Sequence, residues 1–224
     1  MPAKAEDSLV GELPPLSRLA LAYAPAPARI PTLALLALDA RLAGIVRRSH
    51  EPMLAQLRLA WWREQLGSSH DDGWADGEPI LAGLRSWGGA HGPLVALVDG
   101  WEAMTGAAPL AAERLALLPA GRGAAFSALA HAVGAQHDAA EALRTGREWA
   151  LADMLPRLGD EAERSALDEL VAGEPWPRAR LGRTLRPLAV LHGLARRRRA
   201  GKAASPPAGA SSMLAAMRIG LLGR

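Results

Sequence analysis

Valine, isoleucine and threonine are scarce in this chain: seven, four and four among 224 residues. These side chains suit a pleated sheet, and no stretch alternates them with polar residues over the length of a strand. Half of the residues are nevertheless hydrophobic, so the chain has apolar surface to bury, and alanine and leucine supply most of it. Their positions recur at the three- and four-residue intervals of a helix. The expectation is an all-α protein, a single helical bundle. At 224 residues the chain is long enough to bury a substantial core.

Several classes of chemistry are excluded at once. There is no cysteine, which rules out disulfides, thiolate metal sites and a catalytic thiol. The absence suits a bacterial cytosol, and the expected location is cytoplasmic. The first thirty residues show no basic start followed by an apolar run, so no secretory signal is expected. The most apolar early stretch, Ile30 to Leu38, lasts nine residues before Asp39 and Arg41 interrupt it. A membrane span needs about 20. The six histidines never fall at i, i+4, so a helical zinc pair is ruled out.

The net charge of +3 conceals a segregation. All 23 acidic residues lie at or before Glu174, against 15 basic ones, whereas the fifty residues after it carry eleven basic side chains and no acid. Arg196, Arg197, Arg198 and Arg199 are consecutive. A basic region of this kind marks either a solvated tail or a surface for phosphate, in lipid or nucleic acid. The expectation is contact with an anionic membrane surface through Arg196 to Arg199.

Along the chain, residues 1–14 read as a flexible N-terminus, 15–200 as a helical domain, and 201–224 as a basic linker with a short helix. Helices are expected over Pro15–Ala24, Thr32–Arg47, from Pro52 through the tryptophan-rich segment, over Ile80–Trp87 and from Pro93. Others follow near 109–118, 121–133, 138–158, 160–171 and Arg178–Arg199, the last kinked at Pro187. Prolines 25, 27 and 31 are expected to interrupt the chain between the first two. The segment EPMLAQLRLAWWREQL, from Glu51, places Trp61 on an apolar stripe with Leu54 and Leu57, while Trp62 lies about 100° further round. Arg58 precedes Trp62 by one turn, close enough for a cation–π pair. The two indoles are therefore expected in different environments, on a helix either clamped between others or lining a cavity.

Direct motif reading finds no active site. His70, Asp71, Asp72 and Asp76 offer oxygen ligands to calcium or magnesium, yet their spacing fits no dedicated ion loop, and a solvated loop is the expectation. AGRGAAFSALAHAVG, from Ala120, has two glycines near a helix start but lacks the strand and third glycine of a dinucleotide site. No serine sits in a nucleophile elbow.

The order of four segments resembles the squalene/phytoene synthase family: EPMLAQLRLAWWREQL, PLVALVDGWEAM, GRGAAFSALAHAVG and LRPLAVLHGLARR, collinear over roughly residues 15 to 200. The resemblance implies the isoprenoid-synthase fold, helices around a deep apolar cavity, here with Tyr23, Arg58, Trp62, Trp101 and Phe126 on its wall. Family enzymes join two prenyl diphosphates head to head, using magnesium bridged to aspartate-rich motifs on facing helices. This chain departs from that pattern. Ala43, Gly44 and Arg47 stand where the first motif has acids, leaving Asp39. Asp153, Asp160 and Glu161 are available near the second, at the wrong spacing and without the arginine-glycine-arginine stretch that should follow.

The resulting expectation is a non-catalytic relative that needs no cofactor. It would bind an isoprenoid or lipid, or act at the inner membrane with a protein partner, as the family's mitochondrial branch does in assembling respiratory complex I. The alternative is an active, magnesium-dependent prenyl transferase, with Asp39, Asp153 and Asp160 as its first candidates. Nucleic-acid binding through the arginine-rich end ranks last, because no aromatic residues interleave there.

Overall fold

The computed structural model describes residues 3–48, 51–68, 74–75, 77–201 and 210–222. Among them the chain is all-helical, with short 3₁₀ turns and no strand. Eleven α-helices follow in order: α1 (Ala3–Glu12), α2 (Pro15–Leu21), α3 (Ala26–Arg48), α4 (Pro52–Gly67), α5 (Pro79–Leu84), α6 (Val95–Ala103), α7 (Ala112–Ala132), α8 (Ala139–Met154), α9 (Glu161–Gly173), α10 (Arg186–Arg199) and α11 (Ala210–Leu222). No helix of the described residues is long and apolar enough to cross a membrane. His70, Asp71, Asp72 and Asp76 lie outside the described residues.

The centre of the bundle is α7, with α6 against one side and α8 against the other, while α3 crosses α5, α6 and α7. α10 packs on α8 and carries α11. Glycine lets the central helices meet backbone to backbone. A Cβ built on Gly121 would stand 2.2 Å from the Ala96 carbonyl oxygen, and one on Gly100 would stand 2.7 Å from Leu118 Cα. Gly123 is equally tight against the Leu143 carbonyl of α8, at 2.7 Å. The two glycines of AGRGAAF thus serve close helix crossing.

Tertiary packing overrides the proline punctuation at two places. Pro27 falls in the first turn of α3, where backbone N–H groups have no intrahelical partner in any case. Pro31 and Pro119 lie inside helices, so α3 starts earlier than expected, and the segments near 109–118 and 121–133 form one helix, α7. Each proline forfeits one helical hydrogen bond. Both are buried among leucines and alanines whose removal from water outweighs that loss. Conversely, Arg178–Gly182 is not helical. α10 begins at Arg186, with Pro187 in its first turn and no kink required. The N-terminal residues expected to be flexible form α1 instead, because Leu9 and Leu13 reach the core and Arg29 pairs with Glu6 at 2.9 Å.

On α4 the two indoles do face different environments: Trp62 is 3% exposed and Trp61 36%. The assignment of faces is the reverse of the simple stripe. Ala55, Leu59, Trp62 and Leu66 point inward, whereas Leu54, Leu57 and Trp61, with Met53, point out. Both sets have helical spacing, so periodicity alone does not choose between them. With that face inward, Arg63 pairs across to Asp99 and Glu102 on α6. Trp61 stands edge-on to Trp62 at 4.9 Å.

Candidate functional site

Arg122 is a buried charge near the centre of the bundle. It sits on the inner face of α7, one helical turn from Leu118, Ala125 and Phe126, and its side chain is 4% exposed. A guanidinium there requires partners, since an unpaired buried charge is costly. Two carboxylates from facing helices supply them. From α3, Asp39 accepts Nε at 3.0 Å and Nη2 at 2.9 Å; from α8, Asp153 accepts Nη1 at 2.9 Å. Asp39 also accepts the Trp101 indole N–H at 2.8 Å. Arg157 donates to the second oxygen of Asp153 at 2.7 Å.

Aromatic rings enclose this cluster. The Arg122 guanidinium carbon lies 4.6 Å from the Trp149 ring centre and 5.2 Å from that of Trp101, both within cation–π range. Phe126 meets Trp149 edge-on at 5.7 Å. Behind the cluster the apolar interior is filled, leaving a void of about 10 Å³ beside Leu35, Leu97 and Phe126. In front of it opens a cavity of about 410 Å³ between α2, α3, α8 and α10. Its walls are apolar at Pro14, Leu16, Ala43, Pro156 and Leu191, and basic at Arg47, Arg157 and Arg198.

Burial opposes the charge on Asp153, but Arg122 and then Arg157 outweigh it and hold the carboxyl below its ordinary 3.8. Burial likewise works against the charge of Arg122, and Asp39 followed by Asp153 more than compensates. Two carboxylates against two guanidiniums make the cluster electrically neutral. It leaves no surplus negative charge for magnesium, which binds carboxylates that can face it directly. The residues present therefore do not fit a bridging metal. Among the described residues, no three His, Cys, Asp or Glu side chains gather closely enough to hold one.

The remaining sequence-derived candidates divide. Trp101 and Phe126 back the Arg122 cluster but do not line the open cavity. Asp160 is elsewhere: its side chain caps α9, accepting the N–H groups of Ala162 and Glu163 at 2.9 and 3.1 Å. Trp62 packs in the core away from the cavity, and Arg58 is exposed, its cation–π pairing with Trp62 not among those formed by the described residues. Tyr23 is half-buried and packs on Gly220 of α11. Arg196 to Arg199 do not form one solvated face. Arg198 enters the cavity, Arg199 lies 5.4 Å from the Trp176 ring centre, and Arg196 and Arg197 border a separate pocket.

Sequence reading missed a second buried network on α8. Glu148 is fully buried and accepts Arg144 at 2.7 Å, His192 Nε2 at 2.5 Å and the Trp176 backbone N–H at 3.2 Å. Glu141 accepts the Arg180 N–H at 2.8 Å, and Asp138 that of Gly182 at 2.7 Å. Three carboxylates at the start and middle of α8 thus supply acceptors to a segment with no regular structure of its own. Trp176 is held there at φ +52°, a left-handed conformation that costs a non-glycine residue about 1–3 kcal/mol. The i, i+4 pair Arg144–Glu148 was legible in the sequence, but its reach to residues 176 and 192 was not.

Burial raises the carboxyls of Glu141 and Glu148, yet hydrogen bonds from Arg144 to Glu141 and from His192 and Arg144 to Glu148 bring both below the ordinary 4.5. A carboxyl lowered in the folded state stabilises it above the unfolded value, and that contribution is lost as pH falls through the folded value. With Asp153 behaving alike, the urea midpoint should hold steady from neutral pH down to about 4.5 and then fall. A midpoint that rises on acidification would contradict this sign.

Comparison with known protein families, curated proteins and solved structures finds no match.

Proposed function

We propose that this protein is a non-catalytic relative of the squalene/phytoene synthases, of isoprenoid-synthase type, whose cavity holds an isoprenoid or another lipid with an anionic head. The observation that carries the reading is the Asp39–Arg122–Asp153 bridge. In an active member, carboxylates on facing helices hold magnesium, and the metal neutralises the departing diphosphate. Here an arginine joins two such carboxylates, which supports loss of prenyl transfer and argues against the active alternative. The cavity in front of it pairs apolar walls with Arg47 and Arg198, which take no part in the cluster, a composition suited to an amphiphile whose head is negative. Peripheral attachment to the inner membrane and work beside a protein partner in complex assembly belong to the same reading. The basic region beyond Glu174 supports the first, since each basic residue near an anionic bilayer contributes about 1 kcal/mol.

Native mass spectrometry of the full chain with geranylgeranyl diphosphate tests the cavity. The ligand should bind whether or not magnesium is present. Changing Arg47 and Arg198 to glutamine should weaken binding about tenfold or more, each charge-assisted hydrogen bond contributing roughly 1.5–3 kcal/mol. No adduct, or an adduct that requires magnesium, would overturn the reading.

A further inference from the structure

On the opposite side of α10 from the cavity lies a second pocket, of about 430 Å³. Leu191 and Arg198 face the cavity. Ala189, Gly193, Arg196 and Ala200, about half a turn round at roughly 100° per residue, face the other pocket. Five arginines line it: Arg178 and Arg180 from the irregular segment before α10, Arg196 and Arg197 from α10, and Arg218 from α11. No acidic residue is among the lining, and none of these five guanidinium groups forms an ion pair among the described residues. The acids packed behind it are engaged elsewhere: Glu148 by His192 and Arg144, Glu141 by Arg144 and the Arg180 N–H.

The fold brings these charges together by specific means. Glu141 and Asp138 tether the segment that carries Arg178 and Arg180. Gly193 lets α11 settle on α10, since a Cβ there would stand 2.4 Å from Ile219 Cδ1, and this places Arg218 at the rim. His192 also lines the pocket. It is fully buried, its Nε2 bonds Glu148, and its Nδ1 has no hydrogen-bond partner among the described residues. Five like charges converging without a counter-charge repel one another, and a buried ring nitrogen left unpaired is uncommon. A hydrogen phosphate or hydrogen diphosphate group answers both: its charged oxygens accept from the guanidinium groups, and its P–OH donates to Nδ1.

We infer that Arg178, Arg180, Arg196, Arg197 and Arg218, with His192, form a binding site for a phosphate or diphosphate group. Planar guanidinium groups bind phosphate oxygens in pairs and are weakly hydrated, so they suit this ligand better than a carboxylate-sized monoanion. The group arrives either on a soluble compound or as the head of a lipid. The site does not depend on what fills the cavity across α10.

The test uses the full chain and two probes. Inorganic pyrophosphate is titrated by calorimetry and by tryptophan emission, because the Trp176 ring is stacked on His192 with centres 6.1 Å apart. Phosphatidylcholine vesicles with and without phosphatidic acid are tested by co-sedimentation. Pyrophosphate should bind saturably, one per chain, and more weakly as salt rises. Arg178→Gln with Arg218→Gln, both at exposed positions, should weaken it about a hundredfold, and Arg199→Gln, outside the pocket, by less than twofold. If phosphatidic acid vesicles bind and pyrophosphate displaces them, the group is a lipid head; if pyrophosphate alone binds, it is soluble. Both outcomes support the site. Absence of saturable binding to either probe would overturn it, and so would equal weakening by Arg199→Gln, which would reveal diffuse basic attraction. Failure of geranylgeranyl diphosphate to enter the cavity would leave the pyrophosphate result unaffected.

Discussion

Arg122→Ala should destabilise the fold by about 3–5 kcal/mol, the range for removing one partner of a buried ion pair. Asp39 and Asp153, only 13% and 15% exposed, lose their shared counter-charge, and Asp39 keeps just the Trp101 indole as a donor. Trp101 and Trp149 meanwhile lose the guanidinium that packs against both rings. For a chain of this size each kcal/mol lowers the melting temperature by roughly 2–4 °C, so the loss is large enough to follow thermally. Arg122→Lys should recover only part of it, because an ammonium cannot donate to Asp39 through two parallel N–H groups while reaching Asp153. The triple variant with Asp39→Asn and Asp153→Asn as well should be more stable than Arg122→Ala alone, since it removes the unpaired charges. Chemical denaturation of the four proteins measures this. Equal stability of Arg122→Ala and the parent would show that the bridge does not hold the helices together.

The second large effect is expected at Glu148. Its carboxylate joins α8 to α10 through His192, to its own helix through Arg144, and to the irregular segment through the Trp176 N–H. Glu148→Ala leaves a cavity, an Arg144 paired with Glu141 alone, and a buried His192 with neither ring nitrogen bonded. Losses of about 3–5 kcal/mol accompany removal of one side of such a pair. Glu148→Gln keeps the shape but accepts through one oxygen only, and should cost less. The consequence is also local. Without that acceptor the left-handed backbone at Trp176 loses its backbone tether, so amide hydrogen exchange should accelerate over residues 174–182 more than in α7. Uniform acceleration throughout the molecule would instead mean that Glu148 merely contributes to overall stability.

Helix content was legible because it follows from composition and period, and these act locally. The choice of face was not. On α4 the sets Leu54–Leu57–Trp61 and Ala55–Leu59–Trp62–Leu66 both have helical spacing, and the positions of α3 and α6, against which α4 packs, decide which is buried. Proline boundaries failed for a related reason: Pro31 and Pro119 are tolerated because long-range packing is worth more than one helical hydrogen bond. The site was half legible. Asp39 and Asp153 were singled out as acids near the positions where the family resemblance places its motifs, and the structure does bring them together. Their partner could have been found, since Arg122 interrupts an apolar face formed by Leu115, Leu118, Ala125, Phe126 and Leu129, and a charge in such a place requires opposite charge nearby. Asp160 was selected on the same ground as Asp153, but its backbone role as a helix cap depends on where α9 begins.

Arg122 in place of a bridging metal is the central claim, and release of inorganic pyrophosphate from a prenyl diphosphate measures it most directly. The full chain, its Arg122→Lys variant and a heat-inactivated control are incubated with geranylgeranyl diphosphate, with and without magnesium. The neutral cluster of Asp39, Arg122, Asp153 and Arg157 predicts release by the native protein no faster than by the inactivated control, with magnesium making no difference. Magnesium-dependent release above that control would contradict it.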